Sequence, residues 1–324
     1  MSEFPTSANV VVIGAGIVGN CLVGHLARLG WTDLVLLDKG PLPNPGGSTG
    51  HASNFIFPVD HNKEMALLGE QSANQYRDMN LSVDSGGIEV ARTQERMNEL
   101  QRRMTSAKAW GIEAHILTPA EVKELVPFIS DDVILGGFYC PTVSVVDSLE
   151  TGTVMRKEAI ERAGCQVFAN TEVLDVLTEG GDGPNGRRRV TGVVTDKGTI
   201  EADYVVVACG VWSNRIAGMA DTYIPLAPAV HQMADVGPMD ILAETNNEIG
   251  YPIVRDMDTF CYERQSSGSM EVGSYGHRPI LHHPDEIPSN DEAALSPTEM
   301  PFTPDDFDQQ VAEAIEGMEP LGEA

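Results

Sequence analysis

Gly14, Gly16 and Gly19 stand in the order Gly-x-Gly-x-x-Gly, between an apolar run at residues 9–13 (NVVVI) and a stretch with helical spacing. Each glycine answers a physical need. The first makes a tight turn, the second lets a pyrophosphate approach the backbone, and the third lets helix and strand pack closely. The helix start offers free N–H groups and the positive end of a helix dipole to phosphates. A second apolar run, residues 34–37, ends at Asp38, 19 residues after Gly19. A carboxylate there accepts hydrogen bonds from a ribose, and its charge argues against a 2′-phosphate; the alternative is a turn or cap residue. Strand, glycine turn, helix, strand and acid within about 30 residues make the pattern of a dinucleotide-binding βαβ unit, which these residues alone leave open between FAD and NAD.

Further residues carry chemical potential. Gly46, Gly47, Ser48, Thr49, Gly50 and His51 close a Pro/Gly/Ser-rich loop, where by itself His51 reads as a solvated loop histidine. In the segment 204–213 (YVVVACGVWS), residues 204–208 read as a fully buried strand ended by Gly210 and followed by an aromatic. His231 and Tyr262 fall in expected strands of the second half, and each alone reads equally as a sheet residue. Arg255 and Arg278 offer planar forks suited to a carboxylate, the alternative for both being an acid of this acidic chain. His277, His282 and His283 have no carboxylate or cysteine at metal-ligand spacing, so no metal is expected.

Elements must place these groups. Val18, Leu22, Val23, Leu26 and Leu29 recur at helical spacing and Gly30 ends the run. Residues 65–79 read as a helix with Met65, Leu67, Leu68 and Tyr76 on its apolar side, and 93–110 as a long helix. Thr118, Pro119 and Glu121 form a capping box that starts a helix running to Leu125. Asp147 caps a helix that ends at Gly164. Strands are expected over 86–91, 134–140, 166–169, 171–177, 189–195, 199–202 and 204–208, and antiparallel ones over 230–235, 251–255, 259–264 and 270–275. Residues 282–301, polar and proline-rich, read as a surface excursion before a last helix from Thr303. The order predicts an α/β fold (α+β overall): a Rossmann-like nucleotide-binding domain, residues 1–82 and 147–219, interleaved with a mainly antiparallel β-sheet domain, residues 83–146 and 220–324.

The chain of 324 residues carries 48 acidic and 21 basic residues, a net charge of −27. That field repels phosphate backbones, so nucleic acid is not expected as a partner. An acidic surface poor in lysine is a lever of salt-adapted proteins, which predicts a halophilic, high-salt cytoplasm; an ordinary acidic bacterial protein is the alternative. No apolar run reaches the roughly 18–20 residues of a membrane span, and no basic leader precedes the first strand, so a cytoplasmic location without membrane contact is expected. The five scattered cysteines read as free thiols.

The segment GGSTGHASNF resembles the part of the dimethylglycine oxidase, dimethylglycine dehydrogenase and sarcosine dehydrogenase family, in the D-amino-acid oxidase superfamily, that places a histidine against a flavin. GGIEVA from Gly86, AWGIEAHILTPAEVKELVP from Ala109, PLAPAVHQM from Pro225 and GSYGHRP from Gly273 extend the resemblance, in order, over almost the whole chain. YVVVACGVWS resembles the returning strand of such enzymes. The resemblance implies FAD held by Gly14, Ala15, Gly16, Ile17, Val18, Gly19, Asp38, Lys39, Ser48, Thr49, Gly50, His51, Phe55, Val173 and Gly210, with His51 bonded covalently to the flavin 8α-methyl carbon. It implies oxidation of the C–N bond of a small N-methyl amino acid, dimethylglycine or sarcosine, by hydride transfer to the flavin. His231 then matches the histidine near the substrate amine and Tyr262 the tyrosine beside it, with Arg278 or Arg255 for the substrate carboxylate.

The resemblance also shows departures. Its members continue with a further strand and a Gly/Pro-rich segment, and the larger ones with a folate-binding module; residues 1–324 lack these, and Val143 and Ser144 stand where relatives place an Asp-Gly turn. Three expectations follow. One is an FAD-dependent amine oxidoreductase, incomplete as it stands. Another is a non-catalytic FAD-binding subunit that pairs with a separate C-terminal chain. The third is a D-amino-acid-oxidase-like dehydrogenase with non-covalent FAD and a different amine.

Overall fold

The run Leu34–Leu37 is apolar at every position because both faces of its sheet are covered. The computed structural model, which describes residues 3–181, 186, 188–243, 248–293 and 296–324, pairs it in parallel with Ser7–Ile13. Alternation along the two strands sorts their side chains between two cores. Val11, Ile13, Val35 and Leu37 enter one, and Val10, Val12, Leu34 and Leu36 the other. On its other edge Ser7–Ile13 pairs in parallel with Gly198–Val207, and Leu34–Leu37 pairs in parallel with Gln166–Phe168. Two antiparallel strands, Arg188–Thr195 and Val173–Gly180, complete a six-stranded sheet.

The expected strands 199–202 and 204–208 are one strand, Gly198–Val207, and its second half is not fully buried. Pairing with Arg188–Thr195 stops at Glu201, so Tyr204 is exposed, its ring edge-on to Trp31. Helix Ile17–Arg28 also turns differently from its apolar spacing. Gly19, Asn20, Val23, Gly24 and Ala27 are buried, while Val18 and Leu29 face outward. The small residues permit close packing: a Cβ on Gly24 would fall 2.6 Å from Met155 Cε in helix Ser148–Ala163. Asp147 caps that helix by accepting from Glu150 N–H, and Gly164 ends it in the left-handed conformation, both as expected.

The chain divides into two units. Unit 1 comprises Met1–Ala52, Asp147–Ala229 and Leu281–Met300; unit 2 comprises Ser53–Val146, Val230–Ile280 and Pro301–Ala324. The first division thus falls at residue 52 rather than 82. Phe55–Ile56 and Ser82–Asp84 both pair with Ser144–Val146 in a small antiparallel sheet that ties residues 53–82 to unit 2. The stretch 281–300 goes to unit 1, where Arg215 donates to the carbonyls of Pro284 and Ile287.

Unit 2 is built on a seven-stranded sheet in the order Met233–Val236, Ser269–Ser274, Cys261–Ser266, Ile253–Asp256, Gly87–Ala91, Gly136–Cys140, His115–Leu117. All its pairings are antiparallel except that of Ile253–Asp256 with Gly87–Ala91. The capping box of Thr118 and Glu121 forms in full. Helix Lys63–Asp78 buries Ala66 and Ala73, whereas Met65, Leu67 and Leu68 are exposed, the reverse of the face expected from residue size.

Candidate functional site

In unit 1 the glycine turn is held by backbone. Gly14 has φ +104°, and a Cβ there would fall 2.3 Å from Ala208 O at the end of the returning strand. A Cβ on Gly19 would fall 1.8 Å from Gly14 O, so the third glycine makes room for the first. Gly16 N-caps the helix without any side-chain bond. Its missing Cβ would meet only Thr49 Oγ1, at 3.1 Å, and that hydroxyl accepts from Ile17 N–H at 3.1 Å. This is a cradle that side-chain atoms would fill, lined by backbone donors at a helix start, and its donor set suits a diphosphate. Val18 is exposed on the same first turn. Asn20, which sequence reasoning passed over, donates to Ala15 O at 2.6 Å; the signal was a polar residue on a buried helix face.

Asp38 closes the turn from the next strand. Ala15 N–H donates to its Oδ2 at 2.6 Å and Gly40 N–H to its Oδ1 at 2.7 Å. Burial pushes its carboxyl above the ordinary range, and these two donors oppose the shift. Thr171 N–H donates to Asp38 O, which places the start of strand Val173–Gly180 beside it. Lys39 pairs with Glu172 at 2.8 Å. Gly210 is exposed, with φ +51°, one residue beyond Cys209, whose thiol donates to Ile13 O. These residues fit FAD as they fit dinucleotides in general. Gly19→Ala is expected to weaken FAD binding at least tenfold, because the methyl meets backbone; titrating the apoprotein with FAD by fluorescence tests this, and an unchanged affinity would refute it.

The loop carrying His51 is also in unit 1. Ser48–Gly50 forms one 3₁₀ turn, with Ser48 exposed and Thr49 O accepting from Ser148 Oγ at 2.8 Å. The stretch 281–300 is no simple surface excursion. Ser296 Oγ and Thr298 Oγ1 each lie 3.0 Å from Gly46 O, and Thr298 Oγ1 lies 3.2 Å from His51 Nε2. Burial pushes the His51 imidazole below its ordinary value, and the charge of Glu299 opposes the shift.

Unit 2 gathers a second set. Met233, Gly273, Tyr262 and Arg255 are cross-strand partners on four neighbouring strands, so they share one sheet face. The Tyr262 ring lies over Gly273, where a Cβ would fall 2.0 Å from its Cζ. Tyr262 OH and Ser53 Oγ are 2.7 Å apart. His231 lies parallel to Tyr275, centroids 5.1 Å apart, and to Tyr262 at 6.0 Å. The Arg255 guanidinium sits 4.8 Å from the Phe57 centroid and 5.5 Å from that of Tyr275, and its buried Nε has no hydrogen-bond partner. Burial holds His231 below the ordinary imidazole value, reinforced by His277. Burial likewise raises Tyr262 far above the phenol range, with Ser53 opposing.

Of the expected residues, His231, Tyr262 and Arg255 come together here. Arg278 is not among them: it is exposed, and its Nε and Nη2 are forked onto Asp306 at 2.7 and 2.9 Å. Phe55 belongs to unit 2, edge-on to Phe57 and Tyr262. Tyr275, Ser53 and Phe57 escaped sequence reasoning. Tyr275 stood inside GSYGHRP, but only the register of the sheet shows its ring against His231. Among the described residues no group of His, Cys, Asp and Glu has a metal-binding arrangement.

The model of the DAO family, FAD dependent oxidoreductase, matches residues 9–321. The chain is 34% identical over 286 residues to mitochondrial sarcosine dehydrogenase of Mus musculus, covering 86% of this chain and 30% of that protein. It is 30% identical over 285 residues to the mitochondrial pyruvate dehydrogenase phosphatase regulatory subunit of Mus musculus, covering 85% and 31%. The chain therefore spans about 30% of the length of these relatives. L-proline dehydrogenase from P. horikoshii superposes with a TM-score of 0.81 at 22% identity, over 99% of this chain and 79% of that one, which establishes the shared fold. The glycine cradle, its closing aspartate and these matches agree, and the chain belongs to the DAO family of FAD dependent oxidoreductases.

Proposed function

We propose that the chain is the FAD- and amine-binding part of an oxidoreductase acting on a small N-methyl amino acid of the sarcosine or dimethylglycine type. The observation that carries this reading is the unit 2 cluster: a neutral imidazole, two phenols and an arginine with a buried, unpaired Nε on one face. That set matches a zwitterion whose amine must shed a proton and whose carboxylate needs a fork. Bound FAD supplies a two-electron acceptor for the hydride leaving the N-methyl carbon, and the resulting iminium is taken up by water or tetrahydrofolate. Neutral His231 accepts the amine proton, Tyr262 stays protonated and donates, and Arg255 holds the carboxylate. His51 anchors the flavin covalently.

The test is anaerobic bleaching of the flavin absorbance by sarcosine and by dimethylglycine. We expect reduction by one or both, and a loss of about 10²–10⁴-fold in kcat/KM for His231→Ala. Protonation below its lowered pKa stops His231 from accepting, so kcat/KM should fall with acid along a limb below the ordinary imidazole value of about 6.5. A second reading, a flavin-binding regulatory subunit, is favoured by the similarity to the phosphatase regulatory subunit. A protein that takes up FAD yet is reduced by neither amine supports that reading and removes the first.

A further inference from the structure

Tyr262 and Arg264 stand two residues apart on strand Cys261–Ser266, so their side chains leave the same face of the sheet. Both reach one residue. Tyr262 OH lies 2.7 Å from Ser53 Oγ, and Arg264 Nη1 donates to Ser53 O at 2.9 Å. Ser53 lies outside any helix or strand, beside Asn54, whose φ of +56° is left-handed and uncommon for a residue other than glycine. No ladder of backbone bonds therefore sets where its hydroxyl sits. The arginine that holds it is a costly choice. Its side chain is 11% exposed and pairs at 3.3 Å with Glu271, its cross-strand partner, which is 7% exposed. Among the described residues, Arg264 Nε and Glu271 Oε1 find no hydrogen-bond partner. A buried pair left partly unsatisfied returns little stability for its desolvation. What it does supply is a fixed guanidinium, with Nη2 on Glu271 and Nη1 on the Ser53 carbonyl. We propose that Arg264 is a positioning residue: by anchoring Ser53 it fixes the hydroxyl against which the Tyr262 phenol is set.

This inference rests on the reading of Tyr262 as a donor to the substrate. The ring itself is set by packing, over Gly273 and edge-on to Phe55. Packing leaves the phenol O–H free to rotate, and hydrogen bonds must fix it. Met233 Sδ lies 3.4 Å from Ser53 Oγ and 3.9 Å from Tyr262 OH, a weak acceptor for either proton. A phenol that gives its proton to the substrate takes its second bond from Ser53. A Ser53 released by Arg264 is free to turn to the sulfur instead, and the phenol proton then loses its direction.

A double-mutant cycle separates positioning from a merely structural role. In FAD-loaded protein, anaerobic flavin reduction by sarcosine and by dimethylglycine is timed for wild type, Arg264→Met, Tyr262→Phe and the double variant. We expect Arg264→Met to slow reduction about 10²-fold at saturating amine, with the half-saturating concentration changed less than about threefold. In the Tyr262→Phe background, where the positioned hydroxyl is gone, the same substitution should cost less than about threefold. An equal loss in both backgrounds would overturn the proposal. The ¹³Cζ NMR signal of Tyr262, assigned with Tyr262→Phe, gives a readout besides turnover. Arg264→Met should shift it as Ser53→Ala does, and a signal that Arg264→Met leaves in place also overturns the proposal. Arg264→Met leaves the Glu271 charge buried alone. Should it not fold, Arg264→Met/Glu271→Gln takes its place in the same comparison. A flavin reduced by neither amine refutes the proposed function, and the Tyr262 signal then decides the positioning alone.

Discussion

On the proposed function, Gly273→Ala is expected to lower kcat/KM for the amine at least 100-fold while leaving FAD binding by unit 1 unchanged. The methyl would sit 2.0 Å from Tyr262 Cζ, well inside van der Waals contact. The ring cannot yield cheaply. Tyr262 is 1% exposed, Phe55 packs edge-on at 5.0 Å, and the hydroxyl is tied to Ser53 at 2.7 Å. Displacement of about 1 Å in a group that positions substrate costs on the order of 10²-fold. Overpacking should also cost about 1–3 kcal/mol of stability. Steady-state kinetics with a parallel FAD titration separates the two units. Wild-type kcat/KM in Gly273→Ala would show that the Tyr262 position is immaterial. Tyr262→Phe is the complementary variant: it keeps the ring over Gly273, removes only the hydroxyl, and should lose less.

The same contact shows where sequence reasoning stopped. The glycine turn, the Thr118 capping box and the Asp147 cap were legible because their physics is local: a few residues decide a backbone shape. Gly273 and Tyr262 are eleven residues apart in sequence and become partners only through strand register. The helix faces were misjudged for another reason. Periodicity says that a face is buried without saying how tightly, and close packing here selects Gly24, Ala66 and Ala73 over Leu67, Leu68 and Leu29. Residues 281–300 looked like surface because they are polar and rich in proline. Their polar atoms instead satisfy the loop that carries His51, Ser296 and Thr298 on Gly46 O, a use that composition cannot reveal. The charged partner of Arg278 was equally hidden, since Asp306 lies 28 residues away.

Glu263→Gln is expected to stabilise the protein at alkaline pH. Glu263 is 5% exposed and lies on the sheet face opposite Tyr262, with Val254 and Val272 as cross-strand partners. Helix Pro304–Gly317 covers that face, where Cys261 Sγ reaches Gln310 O at 3.5 Å. Burial pushes the Glu263 carboxyl up to about 8, Asp256 adds to the rise, and Arg92, already paired with Asp256 and Glu316, opposes it. The folded chain therefore holds this proton more tightly than the unfolded chain, whose glutamates titrate near 4.3. The resulting stability is present in full below about 4.3 and is lost as pH rises through about 8. Glutamine keeps the shape without ionising. Its advantage should reach about 2–4 kcal/mol at pH 9 and vanish below about pH 4.5, with the magnitude set by how far the buried site relaxes. Urea unfolding of both proteins across that range measures it. Raising the salt should change the difference little, because a buried charge is poorly screened, in contrast to the acidic surface. A variant whose stability runs parallel to wild type from pH 5 to pH 9 would mean that Glu263 ionises freely in the folded chain.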